Sequence, residues 1–307
     1  MRIGFPRDES ERFAALRCLF ADDPQPAERA REALRLFASA EIDLRGLVGA
    51  WDDETAVAAG LFCKLPDDSA FVWPPVAGED ANDIVAVAAA ILRTVTVLAA
   101  EQGCTYAQAA VDPSRADQCH ALEASGFRSL ALLRYLQRPL DRPLPGVRAD
   151  SGKFLTFDHR HERRFEAVIE RTYHGSLDCP GFTGLRSAAD AIRSYQHSGE
   201  FTPQRWRLVE NEGDDVAVIL VNDRPDDRVR EIVYLGVVPE ARQQGIAQQL
   251  IIDSLAEAMA DGCDAVLAAV DAANDPAAKL YSRLGFVPNF ERAIYLWAEK
   301  SQALEDR

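Results

Sequence analysis

The chain has 307 residues, 48% hydrophobic and 27% charged, which suits a soluble globular protein of two domains and excludes a disordered, collagen-like or disulfide-scaffold chain. It carries 34 Lys and Arg against 49 Asp and Glu, a net charge of −15 shared almost evenly by its two halves. A surface of that sign repels phosphate backbones and no basic stripe interrupts it, so nucleic acid is not expected as a partner, and a cationic or neutral ligand fits better.

The first ten residues hold no apolar signal core. Residues 9–40 read as helices, and 47–51, 56–62 and 70–76 as strands. A long helix is predicted over 83–102. Its apolar stretch, 84–100, is broken by Arg93 and Thr94 and falls short of the roughly 20 residues that span a bilayer. A strand over 106–111, a helix ending at Gly126-Phe127 and a strand over 130–137 follow. Three prolines in 138–150 predict an extended linker. In the second half, 153–157 reads as a strand, 159–172 as a helix, 173–184 as a loop and 185–197 as a helix. Strands over 205–210 and 216–222 form a hairpin, and 231–238 is a third strand of that meander. A long helix over 242–261, a strand over 265–270, a helix ending at Gly285-Phe286 and a strand over 292–298 complete the chain. The six cysteines form no C-x-x-C pair, so neither a metal site nor a disulfide framework is expected. With no membrane span, the cytoplasm is the expected location.

An internal repeat divides the chain. Gly103-Cys104 recurs as Gly262-Cys263, Ala109-Ala110-Val111-Asp112 as Ala268-Ala269-Val270-Asp271, and Gly126-Phe127 as Gly285-Phe286, all at an offset of 159 residues. Strands alternating with helices in each copy predict an α/β (α+β) fold in two similar domains, 1–140 and 151–307.

Two motifs in the second copy carry chemistry. The first is R-x-x-G-x-A at Arg242, Gly245 and Ala247, between the strand containing Leu235, Gly236 and Val237 and the long helix. A first helical turn has unpaired N–H groups and the positive end of the helix dipole, which together cradle a pyrophosphate. The second is N-x-x-A-x-x-x-Y-x-x-x-G-F, starting at Asn274 and reaching Tyr281 and Gly285-Phe286. Asn274 sits where an N-cap belongs, and Tyr281, seven residues on, shares its helix face.

In this order and separation the motifs resemble those of the GNAT superfamily of acyl-CoA-dependent N-acyltransferases. The resemblance covers about 153–298, and the repeat is similar to the double-domain members, the mycothiol synthase family among them. It implies two tandem GNAT-like domains, each a mixed, mostly antiparallel twisted sheet flanked by helices. It also implies acetyl-CoA as co-substrate and direct attack by a primary amine, on a small molecule or a peptide. Backbone amides of Arg242, Gln243, Gln244, Gly245, Ile246, Ala247 and Gln248 would hold the pyrophosphate. Leu235, Gly236 and Val237 would splay from the neighbouring strand and pair with the pantetheine arm, with the Leu235 N–H as oxyanion donor. Asn274 would bond the same arm, and Tyr281 would protonate the departing thiolate.

Glu231 matches the position of a family glutamate that acts as base. Four residues before Leu235 on a strand, it would face the same side. A charge guarding an edge strand is the competing reading. Tyr173, His174 and Asp178 lie in the loop that lines the acceptor pocket in this family, and that loop, from Tyr173 to Cys179, could also supply the base, with His174 titrating in the useful range. In the first copy Leu122 stands where Tyr281 does, Arg115 where Asn274 does, and the loop over 77–83 lacks the glycine motif and holds three carboxylates. That copy reads as degenerate and non-catalytic. A non-catalytic acyl-CoA-binding regulator is the alternative reading of the whole chain, and either a monomer or a homodimer fits.

Overall fold

The computed structural model describes residues 1–76, 84–144, 153–182, 184–224 and 228–298. The chain divides into two compact units, one of Met1–Leu130 with the segment from Arg292, the other of Ala131–Glu291.

The first unit is built on strands β1 (Arg2–Gly4), β2 (Leu47–Asp52), β3 (Thr55–Lys64), β4 (Ser69–Trp73) and β5 (Tyr106–Val111). All neighbours are antiparallel except β4 and β5. The crossover between those two is helix α3 (Ile84–Glu101), the connection that a parallel pair requires. Ile91, Leu92 and Val95 of α3 pack with Val48, Phe62 and Val72 of the strands. Helices α1 (Glu9–Leu19) and α2 (Pro26–Ala38) form a second core with Leu47, Trp51 and Leu61. Helix α4 (Ala116–Ala124) follows β5.

The second unit repeats the plan. Strands β7 (Lys153–Thr156), β8 (Arg207–Asn211), β9 (Asp214–Arg224) and β10 (Val229–Val237) are antiparallel, and β10 runs parallel to β11 (Ala265–Asp271) through helix α7 (Ile246–Ala260). Helices α5 (Glu162–Tyr173) and α6 (Ala188–Gln196) precede β8, and α8 (Asp275–Arg283) follows β11. A capping box between Ser187 and Asp190 starts α6.

The closing strands depart from sequence order. Strand β6 (Arg128–Pro139) pairs with β11, and β12 (Val287–Ala298) pairs with β5. Each repeat therefore closes the sheet of the other unit. Leu136 and Leu140 are buried in the core of the second unit, Tyr295 in that of the first. The linker predicted from residue 138 is corrected accordingly. Arg138 and Pro139 belong to β6, and the buried Arg138 guanidinium donates from Nε to the Leu284 carbonyl at 2.8 Å. Residues 145–152 of that segment, and the loop over 77–83, lie outside the described residues.

Candidate functional site

The sheet of the second unit opens at one place. The parallel ladder ends at Ile232 opposite Ala268, yet β10 continues to Val237 and β11 to Asp271. The opening coincides with a bulge: Ile232 and Tyr234 oppose the consecutive residues Val221 and Leu220, so Val233 is the extra residue. Beyond it β10 stays paired with β9 alone, and its other edge is free of β11.

The bulge also corrects the reading of Glu231. Residues directly opposite in an antiparallel ladder point to one face. Glu231 opposes Asn222 and Leu235 opposes Ile219, three residues apart, so the two lie on opposite faces. Glu231 shares its face with Tyr234 and Gly236. A Cβ at Gly236 would come within 2.9 Å of Thr172 in α5, so only glycine lets that helix lie so close. Nor is β10 an edge strand, since it lies between β9 and β11. Glu231 is held in an ion pair with Arg224, whose Nε donates at 2.7 Å.

The turn between β10 and α7 presents backbone amides. Gln243 and Gly245 have φ of 63° and 83°, left-handed values that turn successive N–H groups inward. Gly245 is the N-cap of α7, and no side chain caps that helix. Among the described residues, the amides of Gln243, Gln244, Gly245, Ile246, Ala247 and Gln248 make no hydrogen bond to protein. The Arg242 side chain is turned into the protein. It donates to four carbonyls: Val237 at 3.1 Å, Thr172 at 3.0 Å, His174 at 2.9 Å and Gly175 at 3.1 Å. It thereby clamps the loop onto the C-terminal end of α5, where a cation also meets the negative end of the helix dipole. Arg242→Lys should cost about 1–3 kcal/mol in a denaturant titration, because an ammonium cannot span that fork.

Helix α8 begins beyond the open end of β11. The Asn274 side chain caps it, accepting from the Ala277 amide at 3.3 Å, so its amide nitrogen is the group left for a ligand. Tyr281 is only 5% exposed and packs edge-on against Phe286 at 5.0 Å. Its hydroxyl makes no hydrogen bond among the described residues. Burial, and secondarily the charge of Asp178, hold the phenol well above its usual pKa, so it keeps its proton.

A tyrosine cluster packs against the same core as Tyr281. The rings of Tyr173 and Tyr195 lie 6.4 and 5.6 Å from that of Tyr234, whose hydroxyl meets Thr172 Oγ1 at 2.6 Å. Arg186 donates to the Tyr195 hydroxyl at 2.9 Å and stands over its ring. The loop after α5 is pinned to the end of β11: the Asp271 amide donates to Asp178 at 3.2 Å, and the Cys179 amide to the Asp271 carboxylate at 3.1 Å. Burial and those two carboxylates push the Cys179 thiol up to about 12, which makes it a poor nucleophile. His174 is exposed at the C-cap of α5. The spacing of the sequence missed Tyr195, Tyr234 and Arg186. Tyr234 lies two residues before Gly236, and alternation along β10 was the one signal for it. Among the described residues no group of three or more His, Cys, Asp and Glu is placed to hold a metal.

The first unit has a counterpart opening, and a side chain bridges it. The β4–β5 ladder ends at Val72 opposite Ala109. Gln118, the counterpart of Ala277, is buried there and donates to the carbonyls of Pro74 and Pro75 at 3.4 and 3.1 Å. Arg115 is tied to Asp22 and Asp117, and Leu122 is wholly buried in the core.

Residues 169–286 match the model of the acetyltransferase (GNAT) family. A mycothiol acetyltransferase of Thermobispora bispora is 31% identical over 173 residues, 53% of this chain and 57% of that protein. The chain spans about half the length of the curated relatives it matches. A GCN5-related N-acetyltransferase of Sphaerobacter thermophilus superposes with a TM-score of 0.64 at 19% identity, covering 94% of this chain and 91% of that one. A tandem GNAT protein from the clavulanic acid biosynthesis pathway gives 0.53 at 13% identity and covers 97% and 98%. These likenesses are of fold, and the fold is that of two GNAT-like units in tandem.

Proposed function

We propose that the second unit, whose residues 169–286 match the acetyltransferase (GNAT) family, transfers an acetyl group from acetyl-CoA to a primary amine. One observation carries the reading: six consecutive amides without partners, at the start of α7, stand beside the free edge of β10. Residues 243–248 hold the pyrophosphate through those amides. Leu235 and Val237 receive the pantetheine arm along the open edge as an added strand, and the Asn274 amide bonds it from the other wall. Acetyl-CoA supplies the thioester. The Leu235 N–H stabilises the oxygen that becomes negative as the amine attacks. Tyr281 then gives its proton to the departing sulfur.

The acceptor enters on the side of Tyr173, His174 and Asp178. The relative named mycothiol acetyltransferase supports a small-molecule amine. The six free cysteines suit a reducing compartment, the cytoplasm. The first unit does not bind acyl-CoA, because Gln118 occupies the carbonyls a pantetheine would need and Pro75, near the place of Leu235, has no N–H.

Calorimetric titration with acetyl-CoA tests this. One site per chain is expected, abolished by Gly245→Glu, which puts a β-carbon at a φ of 83° and a negative charge in the cradle. Two sites would show that the first unit also binds. No binding at millimolar ligand would end the acetyltransferase reading and leave only the fold.

A further inference from the structure

The sequence offers Glu231 and His174 as bases, and neither is well placed. Glu231, on the face it shares with Tyr234, is already engaged by the Arg224 guanidinium, and His174 lies exposed at a helix end. Within the loop that the sequence left open as a source of the base, the structure singles out one carboxylate. Asp178 is exposed as a whole residue, with its carboxyl turned inward to accept from the Asp271 amide at 3.2 Å. Asp271, 4% exposed, in turn accepts from the Cys179 and Ala273 amides. Asp178 is thereby fixed at the end of β11, on the stretch beyond Ala268 that β10 no longer pairs with, and Asp271 lies three residues before Asn274, the cap of the helix that carries Tyr281. The charge of Asp178 acts on the phenols of Tyr195, Tyr234 and Tyr281 and on the Cys179 thiol. A carboxylate among tyrosine rings suits an ammonium, held by ion pairing and by the ring faces.

We infer that Asp178 binds the ammonium of the acceptor and takes its proton, so that the free amine attacks the thioester. This rests on the acetyltransferase reading above. The N–H bond of the ammonium breaks as an O–H forms on Asp178, which passes the proton to solvent. The nitrogen lone pair then forms the C–N bond and the C–S bond breaks. Tyr281 protonates the sulfur and recovers a proton from the nitrogen, which ends as an amide. The charged and titratable groups around Asp178 are Asp271 of β11, Cys179 beside it, Tyr195 of α6, Tyr234 of β10, Tyr281 of α8 and Arg186 before α6. Loss of hydration raises the Asp178 pKa, opposed by its bond from the Asp271 amide and aided by the Asp271 charge.

The test measures CoA release from acetyl-CoA by the full chain with two classes of probe. Ethanolamine, benzylamine and cadaverine are protonated at neutral pH and need a base. O-methylhydroxylamine is already neutral and does not. Asp178→Asn, which keeps the acceptor for the Asp271 amide, is expected to lower kcat/KM for the alkylamines roughly 100-fold while changing that for O-methylhydroxylamine little. In the wild type, activity on alkylamines should fall as pH drops through the Asp178 pKa, since the carboxylate is the working form. That limb should vanish in Asp178→Asn and return in Asp178→Glu. Acetyl-CoA affinity, set by residues 243–248, reports that the variants fold. An equal loss with both classes, or a larger loss in Glu231→Gln than in Asp178→Asn, overturns the assignment. So does a wild type that binds acetyl-CoA and uses only the neutral probe. A chain that does not bind acetyl-CoA fails at the earlier reading instead and takes this one with it.

Discussion

Tyr281→Phe is expected to slow acetyl transfer by roughly 100-fold or more while acetyl-CoA binds as before. The ring is buried against Phe286, and phenylalanine fills the same volume, so packing is preserved. The hydroxyl has no protein partner among the described residues, so removing it leaves no buried group unsatisfied. What is lost is a proton donor. The phenol stays protonated through the neutral range because burial and the nearby Asp178 charge both oppose its ionisation. The loss should therefore fall on kcat and be flat with pH from neutrality to mild alkali, unlike the acidic limb assigned to Asp178. It should also appear with O-methylhydroxylamine, because the leaving sulfur needs its proton whichever amine attacks. A variant that keeps full kcat would remove Tyr281 from the chemistry. One that loses affinity for acetyl-CoA in step with rate would make it a packing residue. Unimpaired binding with slow turnover also separates a catalyst from an acyl-CoA sensor, for which this hydroxyl has no use.

Much of this site is local, and local chemistry is what a sequence displays. A glycine two residues before Ala247 announces a turn into a helix, and an asparagine before Asp275-Pro276 announces a cap. The structure puts a left-handed Gly245 and a capping Asn274 at those places. Legibility ends where the partner is distant. Arg242 reads as one of a row of loop residues, but its four carbonyl partners come from α5, the following turn and β10. Glu231 reads as facing with Leu235 because a strand alternates strictly. One extra residue, Val233, inverts that parity, and a valine in a run of apolar residues gives no sign that it is the one left out. The bridge across the opening of the first unit is similar. The substitution of Ala277 by Gln118 is visible in the repeat, whereas its bonds to Pro74 and Pro75 need the fold.

The exchange of closing strands was hidden for the same reason, and it dictates how the chain can be cut. A fragment of residues 131–291 should fold and bind acetyl-CoA, and one of 151–307, the half that the repeat suggests, should not. The second fragment lacks β6. It thereby loses the seven-residue ladder from Ala265 opposite Pro139 to Asp271 opposite Leu133 and bares the edge of β11. It also loses Leu136 and Leu140 from the core. Burying two such side chains is worth about 1.5–3 kcal/mol each, a large share of the roughly 5–15 kcal/mol that holds a domain folded. The Arg138 guanidinium no longer meets the Leu284 carbonyl at the end of α8, the helix that carries Tyr281. The fragment keeps β12, whose residues from Ala293 pair with β5, a strand it does not contain. The first fragment retains β6, the Arg134–Glu291 ion pair at 3.0 Å and the stacking of Tyr135 on Phe290. Thermal unfolding followed by circular dichroism decides between them. A cooperative transition in 131–291 and none in 151–307 is expected. A cooperative transition in 151–307 would mean that β12 can take the place of β6 beside β11, as the repeat alone suggests, and that the exchange is a choice the chain makes only when both copies are present.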